Sequence, residues 1–430
     1  MTPEANRPRR RVPANAQSTG PARLDTAAHL ASRHQAASRK RTIRRRRAGV
    51  LLSTLVIVAA IVAACNAVTS ASSKPPKKTA TSGGTTASTK PQTTTTTLPA
   101  SFDVGIHAFY WDEKGPGITH VGPTGAALPG RLLTTEVRYP TLDGSAGTES
   151  LNASPATAGG PYPVIVFAHG FETEPLDYAG LLDSWVRAGF VVVSPIFPDE
   201  NLQTVTAAGG MSNPAVASAL ENDVYNEPGD IVYVLKRLQD LGAQPWGSHL
   251  RGVLNLDDVG LAGQSDGANV VAALSFASGL DTLDAEMPSA VKAVAVLSGS
   301  AWSYLPDGTI GTYGGSSTSP ALLQVQSDAD GCNTPADGTD LFASLQAGVR
   351  AKWFVTLLGA DHLGPYEGVA PWASVVDAVT TKFFEHELHW RSASSSAASI
   401  ETAGALSGVA EITTAVSDST VPQVSLIPGC

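Results

Sequence analysis

The sequence predicts an α/β domain: a mostly parallel central sheet of about eight strands, helices on both faces, and no large lid domain. Three observations carry that prediction. Short runs dense in Val, Ile, Leu and Ala recur after residue 100, apolar at every position, as strands covered on two faces must be. Segments with apolar residues at helical spacing follow them in turn. The chain has 430 residues, 43% of them hydrophobic and only 16% charged, which is enough apolar material for one sizeable core.

The first 100 residues are organised differently. Residues 1–47 form a basic head with thirteen Arg and Lys against two acids. A basic head alone would fit nucleic acid, but RTIRRRR (Arg41 to Arg47) abuts AGVLLSTLVIVAAIVAACNAV, residues 48–68, which carry no charge. As a helix this run would span about 31 Å, enough to cross a hydrocarbon core. Its basic flank then stays in the cytosol, so 48–68 is expected to be a transmembrane signal anchor with the rest of the chain exported and no nucleic acid as partner. VAAC (Val62 to Cys65) resembles a bacterial lipobox, which makes Cys65 a candidate for lipidation. A lipoprotein or a cleaved signal are the alternatives to the anchor, and each also places the domain outside the cytosol. Residues 69–100, rich in Thr, Ser, Pro and Lys, cannot bury enough to offset ordering entropy and are read as a linker.

Within residues 101–390, RLLTTEVRYPT (Arg131 to Thr141) reads as an early strand ended by Pro140. PVIVFAHG (Pro163 to Gly170) is a buried strand, and LDYAGLLDSWVRAG the amphipathic helix after it. GFVVVSPIFPD is the next strand, and YNEPGDIVYVLKRLQDLG a helix ending at Gly242. DVGLAGQS runs from strand into the helix GANVVAALSFASG. VKAVAVLSG, ALLQVQSD and AKWFVTLLG supply three further strands, and WASVVDAVTTKFFEHELHW closes the domain as a helix. Residues 391–430 read as a small-residue tail, with Cys332 and Cys430 a candidate disulfide in an oxidising compartment.

The chemistry begins at VGLAGQSDGANVV (Val259 to Val271), where Ser265 is centred in a G-x-S-x-G pattern at a strand-to-helix junction. Gly263 and Gly267 let strand and helix approach closely, leaving the serine oxygen projecting from the sheet edge. On these residues the chain resembles the α/β-hydrolase family over about residues 130 to 390. HGF (His169 to Phe171), QSDGA at the elbow and GADH near the end are most similar to the dienelactone hydrolase, chlorophyllase, platelet-activating-factor acetylhydrolase and cutinase-like polyester hydrolase branches. The resemblance implies a serine esterase that needs no metal and no cofactor.

A serine nucleophile needs a base, and the nine histidines can be sorted by position. His29 and His34 lie in the basic head, and His107, His120 and His249 precede the elbow in apparent loops. His386 and His389 fall in the closing helix and are expected to face solvent. Their HELH spacing is one residue short of H-E-x-x-H and gives no zinc site. His362 remains, directly after the last predicted strand, where the family places its catalytic histidine. For the carboxylate, the family's offset favours Asp330 and leaves Asp328 as the alternative; DADG lacks the later glutamate of a calcium loop. The backbone N–H of Asp266 is one candidate oxyanion donor, and the likeness of HGF to the family's oxyanion motif makes Phe171 the other, with His169 a brace.

These residues imply carboxylic ester hydrolysis through an acyl-enzyme on short acyl or accessible polymeric esters. A cell-envelope acyltransferase with the same triad and a non-catalytic envelope binding domain are the alternatives. Trp302, Tyr304 and Tyr313 are candidates for a substrate wall, unless they pack on the domain itself. Gln264 stands where many relatives carry histidine.

Overall fold

A computed structural model describes residues 99–416, apart from 115–119, 123–125, 129, 146, 245, 279–286, 302–311, 346–347 and 392–394. The predicted membrane segment 48–68, Cys65, Cys430, Trp302 and Tyr304 lie outside the described residues. Among the described residues no helix is long and apolar enough to cross a membrane.

In chain order the elements are β1 (Asp103–Glu113), the two-residue strands β2 (His120–Val121) and β3 (Ala127–Leu128), β4 (Arg131–Thr141), β5 (Glu149–Leu151) and β6 (Tyr162–Ala168). Then come α1 (Ala179–Ala188), β7 (Val191–Ile196), α2 (Leu202–Ala207), α3 (Pro214–Glu221), α4 (Glu227–Gln239), β8 (Leu254–Gln264) and α5 (Asp266–Phe276). β9 (Val291–Leu297), β10 (Ala321–Ser327), α6 (Pro335–Ser344), β11 (Lys352–Leu357), α7 (Trp372–Glu387), α8 (Ala397–Gly404) and β12 (Ala410–Thr413) complete the chain.

Ten strands form one sheet in the order β12-β11-β10-β9-β8-β6-β7-β4-β1-β5, while β2 and β3 pair by themselves. The α/β class stands, but the expected eight mostly parallel strands are corrected to a mixed sheet of ten. Strands β7, β6, β8, β9, β10 and β11 are mutually parallel, whereas β4 joins β7 and β1 antiparallel, and β12 joins β11 antiparallel. The extra edge strands explain the difference. β1 carries Asp, Gly and His among its apolar residues, which blurs the period-two signal. β12 comes from residues read as a tail, whose small side chains left no pattern to find. Pro140 does not end β4; it pairs opposite Val104, and the strand continues to Thr141.

Alternation along the buried strands divides the core in two. Val164, Val166 and Ala168 of β6 face one side with Val191 and Val193 of β7, and there they meet Ile231 and Val234 of α4, Val270 and Leu274 of α5, and Phe342 of α6. Ile165, Phe167 and Val192 face the other side, against Leu182 and Trp185 of α1 and Val379, Phe383 and Phe384 of α7. Both faces of the strands are apolar because both are covered.

From β6 the chain passes to β7 on one side and then crosses to β8 on the other. The helix after β6, α1, covers one face, while α4 and α5 cover the opposite face. At such a reversal the loops leaving adjacent strands, here β6 and β8, run to opposite faces of the sheet, the place where open α/β sheets put their ligand sites. The HGF turn leaves β6 there, and the serine elbow leaves β8.

Trp185 is fully buried between α1 and α7, and its indole N–H donates to Thr380 Oγ1 at 2.9 Å. Trp185→Ala removes this packing and the indole donor, while the Thr380 hydroxyl keeps its bond to Val376 O at 2.6 Å. We expect a loss of about 3–5 kcal/mol in equilibrium denaturant unfolding.

Candidate active site

Ser265 sits at φ 57° and ψ −120°, a conformation that L residues rarely adopt. The close packing of its neighbours holds it there. A Cβ on Gly263 would fall on the Gly267 carbonyl, and one on Gly267 would fall on the Ala168 carbonyl of β6. Only glycine allows α5 to leave β8 at this angle while pressed against β6. The Ser265 N–H donates to Leu297 O of β9 at 3.1 Å, and Ser265 O accepts the first helical bond of α5 from Asn269 N at 3.0 Å. The elbow is therefore tied into both flanking elements.

The structure brings Ser265, His362 and Asp330 together from three strand ends. His362 Nε2 lies 2.9 Å from Ser265 Oγ, and His362 Nδ1 lies 2.8 Å from Asp330 Oδ2. With Nδ1 donating to the carboxylate, Nε2 presents its lone pair to the serine hydroxyl. Asp330 is fully buried and well satisfied: Oδ1 accepts from Cys332 N at 2.8 Å and Asn333 N at 3.2 Å, while Oδ2 also accepts from Gln326 Nε2 at 3.2 Å. The loop that shapes these donors leads into α6, whose start is fixed by a reciprocal cap. Thr334 Oγ1 accepts from Asp337 N, and Asp337 Oδ2 accepts from Thr334 N at 2.8 Å.

Asp328, the alternative carboxylate, is occupied elsewhere, accepting from Gly359 N at 2.6 Å. Asp330, Cys332 and His362 also place three potential ligand atoms within 4.8 Å of one another. Two of those atoms, Asp330 Oδ2 and His362 Nδ1, are already each other's hydrogen-bond partners, so the arrangement fits proton transfer better than metal binding.

The HGF turn lies directly against the elbow, since a Cβ on Gly170 would come within 2.9 Å of Ser265 Cβ. Phe171 follows Gly170 and Asp266 follows Ser265, so this contact brings the two residues near one another. Phe171 is buried in a small cluster with Val205, Ala217 and Leu220. His169 is fully buried, with Nδ1–H donating to Gly170 O at 2.9 Å and Nε2 accepting from Phe197 N at 3.0 Å. Burial lowers its pKa to about 4, so it braces the turn as a neutral ring. Tyr313 is buried in the core cluster and paired through its backbone with Ala277; Trp302 and Tyr304, its proposed companions, lie outside the described residues. Cys332 is half-buried, and its proposed partner Cys430 also lies outside them. His386 is partly exposed near the end of α7, whereas His389, expected in the same helix, is exposed in the turn after it because the helix stops at Glu387.

The sequence reading missed a buried acidic cluster behind the elbow. Arg131 of β4 forks to Asp223 and Asp230, with Nη2 2.9 Å from Asp223 Oδ2 and 2.8 Å from Asp230 Oδ2. Glu200 and Glu227 are fully buried beside it. Among the described residues none donates a hydrogen bond to their four oxygens, and the two carboxyl groups lie within hydrogen-bond reach of each other. Burial raises both well above the ordinary carboxylate range, reinforced at Glu200 by the charges of Glu227, Asp266 and Asp223 and at Glu227 by those of Asp223, Asp230 and Asp266, while the hydrogen bond with Glu200 opposes the shift at Glu227. Both carboxyls therefore favour the protonated form in the fold. Each residue belongs to an unremarkable polar stretch, and only folding gathers them.

Two opposite pH effects on stability follow. His169 stays neutral in the fold but ionises more readily when unfolded, so its contribution is complete above the ordinary value of 6.5 and is lost as pH falls toward about 4. Glu200 and Glu227 bind protons more tightly when folded, so their contribution is complete below the ordinary value of 4.5 and is lost as pH rises through the pair's own range. Thermal melting across pH should show Glu227→Gln losing less stability on the alkaline side than wild type. A parallel decline in the two proteins would contradict the raised carboxyl of Glu227.

No protein-family model matches the chain, and no curated protein matches it. Among solved structures, a ferulic acid esterase from Streptomyces cinnamoneus is 15% identical, with a TM-score of 0.44, covering 70% of this chain and 96% of that one. A likeness of that size carries no argument about what this chain does.

Proposed function

We propose that the chain is a serine hydrolase of carboxylic esters with an α/β-hydrolase fold, acting outside the cytosol and anchored through residues 48–68. The single observation that carries the reading is the unbroken relay Ser265 Oγ, His362, Asp330, with contacts of 2.9 and 2.8 Å, at a strained strand-to-helix turn.

In this reading His362 Nε2 takes the hydroxyl proton as Ser265 Oγ attacks the ester carbonyl carbon. Asp330 stabilises the imidazolium through Nδ1–H. The carbonyl oxygen gathers negative charge and is met by the main-chain N–H groups of Asp266 and Phe171. Collapse expels the alcohol, which takes its proton from His362. Water, deprotonated by the same imidazole, then releases the acid and restores the serine. The substrates are short acyl or accessible polymeric esters.

The protein should turn over p-nitrophenyl acetate or butyrate, with Ser265→Ala and His362→Ala each lowering kcat by about 10³-fold or more. His386→Ala, on the distant helix, should leave kcat within twofold. A fluorophosphonate should label the wild type at Ser265; no labelling of the folded protein, or equal losses at His362 and His386, would overturn the reading.

A further inference from the structure

Gln264, the last residue of β8, is fully buried between the two loops that the reaction must hold in register. Its Nε2 donates to the His362 carbonyl at 3.1 Å and lies 3.4 Å from the His362 Nε2 atom. Its Oε1 accepts from the Tyr178 hydroxyl at 2.8 Å. The amide orientation follows from this network, because the flipped form would set Oε1 against the His362 carbonyl, acceptor to acceptor.

Tyr178 in turn belongs to the HGF side. Its oxygen is 3.4 Å from Gly170 N, which donates to it, and 3.1 Å from Thr173 Oγ1. Thr173 Oγ1 donates to Gly170 O. The single phenolic proton can serve only one of two acceptors, Gln264 Oε1 and Thr173 Oγ1, and the shorter contact, 2.8 Å against 3.1 Å, assigns it to Gln264. Gly170 also packs straight onto the amide: a Cβ there would come within 2.9 Å of Gln264 Oε1.

We infer that Gln264 is a positioning residue: a buried amide strut that fixes the His362 loop relative to the HGF oxyanion turn. This rests on the ester-hydrolase reading and names what keeps its base and its oxyanion donors in one geometry. The serine elbow sets the nucleophile from β8, but His362 follows β11 and the HGF turn follows β6. Gln264 reaches both from the residue next to the nucleophile. Misplacement of a reacting group by about an ångström costs on the order of 100-fold in rate, so such a strut acts on the chemical step rather than on affinity.

The test uses the full chain and two readouts, ester turnover and the rate of Ser265 labelling by a fluorophosphonate. Gln264→Leu removes both halves of the strut and should lower kcat and the labelling rate about 100-fold, with KM within threefold. Gln264→Glu keeps the acceptor for Tyr178 but loses the donor to His362. It should lose rate and move the acid limb of the pH profile to higher pH, because the new carboxylate favours protonated imidazole. Tyr178→Phe should cost several-fold, and the double variant Gln264→Leu with Tyr178→Phe no more than Gln264→Leu alone, as members of one chain are not additive. Melting temperatures are recorded for each variant, and if Gln264→Leu does not fold, Gln264→Glu and Tyr178→Phe decide.

Folded variants with kcat and labelling rate within twofold of wild type, full additivity in the double variant, or losses that simply track the fraction unfolded would overturn the inference. If the wild type is labelled at Ser265 but turns over no ester, the ester-hydrolase reading falls while the labelling rates still judge the strut.

Discussion

The fold of this site depends on one close approach: α5 pressed against β6 and β8 through two glycines. Because a side chain at Gly263 or Gly267 would collide with backbone, the strand-to-helix turn has room for one geometry, and Ser265 takes up the strain at φ 57°. Everything else at the C-terminal sheet edge is arranged around that fixed point. The parallel order β6-β8-β9-β10-β11 delivers the HGF turn, the serine, Asp330 and His362 to the same edge, so that residues nearly 200 positions apart become neighbours.

The main ionisable groups around the elbow are matched or pushed toward neutrality, as burial of charge requires. Asp330 is matched, by three protein donors besides His362. His169 is neutralised, because burial disfavours its cation and both ring nitrogens are used by backbone groups. Asp223 and Asp230 are matched by Arg131, while burial pushes the Glu200 and Glu227 carboxyls toward their neutral form. The elbow thus has a rigid apolar sheet beneath it and a polar layer behind it whose charge depends on pH.

Several parts of this arrangement were legible in the linear sequence. The core strands β6 to β11 and the helices α1, α4, α5 and α7 were readable because their side chains repeat with periods set by the backbone itself. Ser265 was readable because the elbow demands glycine at fixed offsets, and His362 because its rivals fall in other kinds of segment. The edge strands β1, β5 and β12 were not, since strands at the margin of a sheet need little continuous apolar pattern. The helix α6 was not read either, since Pro335, Asp337 and Gly338 leave its first turn without an apolar pattern.

By itself, the sequence determined which residues could carry the chemistry and on which kind of element each would stand, because periodicity and glycine spacing are local properties. The distinction between Asp330 and Asp328 was decided only in three dimensions, where one carboxylate meets His362 and the other caps the Gly359 turn. The acidic cluster and the strut from Tyr178 through Gln264 to His362 were likewise tertiary. Hydrogen bonds between residues tens of positions apart depend on strand order and helix placement, and neither leaves a trace in the spacing of the letters.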